Sequence, residues 1–116
     1  MRRLINAFWN SKAGIAYLLR NEAAFREEAI VLIVSLPVAF WLSQNVATFL
    51  LLIGSILMIM IVEMLNTGIE QVCNGLSREY MDEIKVAKDC GSAAVLLATL
   101  LAGAVWLTTI WVYFFG

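Results

Sequence analysis

Glu63, Asn66, Glu70 and Asn74 recur at steps of three and four residues. At 100° per residue they share one face of a helix. Two carboxylates and two amides on one stripe suit proton transfer, metal binding or polyphosphate binding. Their setting is unusual. "IVEMLNTGIEQV", Ile61 to Val72, directly continues the apolar run "TFLLLIGSILMIM". Depth along the helix therefore matters as much as face. Val46 to Glu63 is 17 steps, roughly 25 Å at the helical rise. Glu63 is expected near the edge of a hydrocarbon layer, where a partly desolvated carboxylate suits proton transfer. Glu70 is expected about 10 Å further out, in the headgroup or aqueous zone. Glu22 and Arg26 open one apolar segment, and Lys88 and Asp89 open another. If these segments bundle, Glu22, Glu63, Glu70, Lys88 and Asp89 meet at one interface. Carboxylates with a lysine and no histidine suit a magnesium–phosphate site.

The elements that must position these residues are apolar helices. The chain has 116 residues, of which 62% are hydrophobic, and a mean hydropathy of +0.85. Soluble domains are about half apolar. Ala29 to Val62 contains no charged residue, 34 positions in all. The polar trio Ser43–Asn45 divides it. Expected membrane helices are therefore 24–42, 46–76 and 88–115. Each is long enough for a bilayer core of about 30 Å, and helices are the open-chain solution in lipid. Pro37 reads as a tolerated kink in the first span. Residues 1–21 carry Leu4, Ile5, Phe8, Ile15 and Leu18 among polar residues, which suits an amphipathic helix on a membrane surface. They lack the long apolar core of a signal peptide. "SREYMDEIKVAK", Ser77 to Lys88, reads as a helix end and turn. Ala94, Ala98 and Ala102 form a candidate packing row, and Trp9, Trp41, Trp106 and Trp111 candidate interface anchors. The whole is expected to be one all-α membrane domain.

All eight Lys and Arg residues flank the same side of these spans. The positive-inside rule then puts the N-terminus in the cytoplasm and the C-terminus outside. Net charge is −1, so no basic field points to nucleic acid. Cys73 and Cys90 match no metal motif and are expected as free thiols. The phosphate-loop, soluble-kinase and dinucleotide signatures are absent.

"NEAAFREE" (Asn21 to Glu28), "VEMLNTGIEQV" (Val62 to Val72) and "AKDCGSAAVLL" (Ala87 to Leu97) closely resemble the three signatures of the prokaryotic diacylglycerol kinases, in the family's order and spacing. The resemblance covers nearly the whole chain and is weakest in the first twenty residues. It implies a trimeric integral-membrane lipid kinase of the bacterial inner membrane. Such an enzyme has three spans, a surface helix and active sites shared between protomers, and it uses MgATP to convert diacylglycerol to phosphatidic acid. Carried over by position, Glu63 matches the catalytic base, with Asn66 orienting the site. Glu22 and Glu70 match the metal-binding acids, which also serve ATP. Arg3, Glu79, Tyr80, Lys88 and Asp89 match nucleotide contacts. Ser92, Arg3 and Arg26 are assigned with Glu63 to the lipid substrate. Asn74 stands where the family often has aspartate. Three other readings are an undecaprenol kinase with the same chemistry, a proton-coupled transporter and a structural membrane protein. A transporter would place its acid nearer mid-bilayer. A structural protein would not need Glu22, Glu70 and Lys88 to converge.

Overall fold

The computed structural model describes residues 1–116 as four helices: α1 (Arg2–Asn21), α2 (Ala23–Leu42), α3 (Val46–Leu76) and α4 (Asp82–Phe115). There are no strands. The longest dimension is 53 Å. At 1.5 Å per residue, the 34 residues of α4 account for nearly all of it.

Local chemistry sets each break. Asn45 ends the polar trio as the N-cap of α3, its Oδ1 accepting from the Thr48 N–H at 2.8 Å. Ser77 ends α3, and its Oγ accepts from the Glu79 N–H at 3.0 Å, turning the chain. Asp82 and Glu83 then fill the first turn of α4, where acids suit the helix dipole. The charged segment is thus mostly helix. The turn is confined to 77–81, and the helix carrying the expected 88–115 span begins at Asp82. Pro37 interrupts nothing, because α2 runs unbroken from Ala23 to Leu42.

α3 and α4 form the main hairpin, α2 packs on α3, and α1 touches mainly α2. One core joins Ala39 and Leu42 of α2 to Leu52 and Ile53 of α3, with Trp106 and Tyr113 against it. Trp106 Nε1 donates to the Leu52 carbonyl at 3.1 Å. It is therefore a packing residue between helices, whereas Trp9, Trp41 and Trp111 are exposed. A second core joins Leu18, Phe25 and Met60. On α4 the buried small residues are Gly91, Ala98 and Ala102. Ala94 faces outward, so the packing row follows steps of seven and four from Gly91, rather than steps of four from Ala94.

Only 15 of 116 residues are buried, which leaves the apolar outer faces of α2 and α4 bare. Water is a poor neighbour for such surface. α3 and α4 are long and apolar enough to cross a membrane. α2 is shorter, and Arg26, Glu27 and Glu28 occupy its first turns.

α1 is held to α2 across a single extended residue, Glu22. Arg26 Nη1 donates to the carbonyls of Leu19 and Arg20 at 3.1 and 3.0 Å, satisfying the last turn of α1. Arg26→Met is expected to cost α1 about 1 kcal/mol of local stability. Hydrogen exchange should then quicken over residues 16–21 and leave α3 unchanged. Unaltered protection there would show that the guanidinium does not hold the helix.

Candidate functional site

The inward face of α3 changes character along its length. Leu52, Ile56 and Met60 occupy it first, all buried. At the same helical angle follow Glu63, Asn66, Thr67, Glu70 and Asn74. The acids therefore continue the packing stripe and point into the bundle. Asn66 is only 8% exposed and Thr67 only 5%, while Glu63 and Glu70 are half-buried. With 31 residues, α3 is about 46 Å long, longer than a hydrocarbon layer of about 30 Å.

Asn66 is the pivot of the stripe. Its Nδ2 donates to Glu70 Oε1 at 3.2 Å. Its Oδ1 is buried without a hydrogen-bond partner and lies against Gly91 of α4, where any Cβ would overlap it. Gly91 thus allows α4 close enough to enclose the amide. Two sequence signals converge there: the polar stripe of α3 and the glycine of α4.

Acids from other turns and helices lie near Glu63. Glu70 and Glu22 are the charges that bear on it, and Glu63 in turn bears on Glu28. Glu22 is half-buried at the α1–α2 break. Glu28 stands beside Glu63 and was not singled out from the sequence. Its Oε1 is buried with no partner. The available signal was its place on α2, three residues beyond the fully buried Phe25, which turns it toward α3. No group of three or more acids or cysteines comes together to hold a metal. Glu22 and Glu70 both bear on Glu63, and a carboxylate pair is the kind of donor set Mg²⁺ takes beside phosphate oxygens and water. They do not fit a cage built from protein alone.

Above the acids, the turn end of α3 and α4 encloses a cleft of about 570 Å³. It contains Glu79, Tyr80, Lys88 and Asp89, four of the residues expected at the nucleotide, together with Asn74. Lys88 Nζ donates to Asn74 Oδ1 at 3.0 Å, tying α4 to α3. Asp89 pairs with Lys85 at 2.6 Å. The Tyr80 hydroxyl donates to Asp82 at 2.8 Å. That bond, with the Asp89 charge adding to it, holds the phenol above its ordinary pKa. Arg78 and Lys85 line the cleft too and were not singled out from the sequence. Lys85 lies three residues before Lys88, on the same face once 82–88 is helical.

Other expected residues lie apart. Arg3 is exposed on the first turn of α1. Arg26 is engaged with α1. Ser92 follows Gly91 and is exposed. Cys73 and Cys90 are free thiols. A larger apolar groove of about 760 Å³ runs along the far side of α3, lined by Leu65, Ile69, Val72, Met81 and Ile84 among others. Its one acid is Glu83.

Comparison with known proteins places these residues in a family. The sequence model of the prokaryotic diacylglycerol kinases matches residues 9–110. That range holds every expected site residue except Arg3. A diacylglycerol kinase of Escherichia coli (strain K12) is 40% identical over 112 residues, covering 97% of this chain and 92% of that protein. One from Pseudomonas aeruginosa is 38% identical over 108 residues, covering 93% and 88%. One from Haemophilus influenzae is 34% identical over 106 residues, covering 91% and 90%. With its three signatures on α2, on the inward-facing stripe of α3 and on the first turns of α4, the chain belongs to the prokaryotic diacylglycerol kinase family.

Proposed function

We propose that this chain is an integral-membrane lipid kinase that transfers the γ-phosphoryl group of ATP to the hydroxyl of diacylglycerol, forming phosphatidic acid and ADP. The observation that carries the reading is the α3 stripe of a family member, apolar up to Met60 and acidic from Glu63 onward. A lipid hydroxyl resides at that boundary, and a nucleotide must approach from the water side. Glu63 accepts the hydroxyl proton as the oxygen attacks the γ-phosphorus, and the bond to the β-phosphate oxygen breaks. Asn66 fixes Glu70 through its 3.2 Å hydrogen bond. Glu22 and Glu70 would hold Mg²⁺, which supplies charge neutralisation on the phosphates. Lys88 adds a positive point charge, and Glu79, Tyr80 and Asp89 line the nucleotide cleft. Catalysis of this kind is mostly positioning and charge stabilisation, within reach of a four-helix scaffold.

In this reading α2, α3 and α4 all span the inner membrane, and α1 lies on its cytoplasmic surface. The N-terminus is cytoplasmic and the C-terminus periplasmic. Every Lys and Arg lies at the end of the bundle opposite Ser43–Asn45 or on α1, as the positive-inside rule requires. Three copies assemble with shared sites, covering apolar surface that one copy leaves bare. Arg3, Arg26 and Ser92 would meet the lipid, and Arg3 the nucleotide as well. The alternative substrate, undecaprenol, is tested directly. Purified protein in one detergent should consume ATP when diacylglycerol is added, and faster than with undecaprenol. Faster turnover with undecaprenol would overturn the substrate assignment. ATP consumption indifferent to either alcohol would overturn the kinase.

A further inference from the structure

We infer that Asn74 is a positioning residue that holds the Lys88 ammonium in place while leaving its charge free for a polyphosphate. The inference rests on the cleft being the nucleotide site. The two side chains come from different helices, 14 residues apart, and meet at 3.0 Å with Lys88 Nζ donating. The partner is neutral. The molecule has one ion pair, Lys85 with Asp89. The carboxylate nearest Lys88 in sequence is thereby already engaged by another cation. Lys88 is half-buried and continues the inward stripe of α4 one turn above Gly91. The Glu79 carboxylate lines the same cleft but forms no ion pair with it. A lysine tethered by an amide keeps its full charge and two remaining protons for an anion. A carboxylate at the same place would hold the ammonium equally well but offset part of its charge. An amide thus separates placement from neutralisation.

The test compares Asn74→Asp, Asn74→Ala and Lys88→Met in the full chain, in detergent, after each is shown to elute and melt as wild type does. KM for MgATP, kcat and inhibition by inorganic tripolyphosphate are measured. Asn74→Asp should raise KM and the tripolyphosphate inhibition constant about fivefold, the scale of a partly exposed ion pair. Added salt should narrow the gap. Asn74→Ala should raise KM less, and kcat should move little in either. Lys88→Met should raise KM at least about tenfold, and adding Asn74→Asp to it should have no further effect. A merely structural tie between α3 and α4 would be kept by aspartate and lost by alanine, the reverse order. If Lys88→Met raises KM but Asn74→Asp leaves it unchanged or lowers it, the role of Asn74 is wrong and the nucleotide cleft stands. If Lys88→Met changes neither KM nor tripolyphosphate inhibition, the reading of the cleft fails, and this inference with it.

Discussion

Glu63→Gln is expected to lower kcat by about 10²- to 10⁴-fold, the range supplied by a positioned general base. Glutamine keeps the shape and hydrogen-bonding reach of the side chain but cannot take the lipid proton. The neighbours of Glu63 make the loss specific. Met60 and Met64 flank it on α3 and pack in one core with Leu18 and Phe25, and none of these can accept a proton. Glu70 is two turns further out and is engaged by Asn66. Glu28 also feels the Glu63 charge, but its Oε1 is enclosed without a partner. KM for MgATP should change little, because the nucleotide cleft lies on the turn side of Glu70. Removing a charge from among Glu22, Glu28 and Glu70 relieves like-charge repulsion, so the variant should melt no lower than wild type. A folded Glu63→Gln protein that phosphorylates diacylglycerol at near-wild-type rate would end the assignment of Glu63 as the base.

The stripe was legible because a helix repeats its angle regardless of what packs on it. Steps of three and four from Glu63 to Asn74 specify one face, and counting from Val46 specifies depth. The helices themselves follow from charge-free length. What the sequence left hidden depends on distances between helices. Nothing in "VEMLN" says that Asn66 is enclosed, because that requires α4 to approach within reach of its amide. The alanine row on α4 looked like the packing face by spacing alone, yet Gly91 supplies the closest approach and Ala94 turns away. Trp106 looked like an interface anchor because tryptophan often is one, but a backbone carbonyl on α3 takes its N–H. Glu28 followed two charged residues and was not singled out, although helical phase sets it toward α3. The start of α4 was placed late because a charged run resembles a turn. Asp82 and Glu83 are instead the acids that favour a helix start.

Gly91→Ala should damage both stability and activity, although alanine is the better helix former. In an exposed helix the exchange would stabilise by about 1 kcal/mol. Here the new methyl overlaps Asn66 Oδ1. Overpacking a tight contact costs about 1–3 kcal/mol. The clash wins because the struck group cannot yield cheaply. Asn66 is 8% exposed, so its amide cannot swing into water, and moving it breaks the bond to Glu70. Moving α4 outward instead would pull Lys88, one turn away, off Asn74. Either relaxation disturbs the site, so turnover should fall by more than the melting temperature alone explains. Adding Asn66→Ala makes room for the methyl. The double variant should recover the thermal stability in detergent that Gly91→Ala lost, yet not its turnover, since Glu70 then has no amide to hold it. This separates the packing role of the contact from its chemical one. Gly91→Ala protein that melts at or above wild type and retains full turnover would show that α3 and α4 do not depend on this approach.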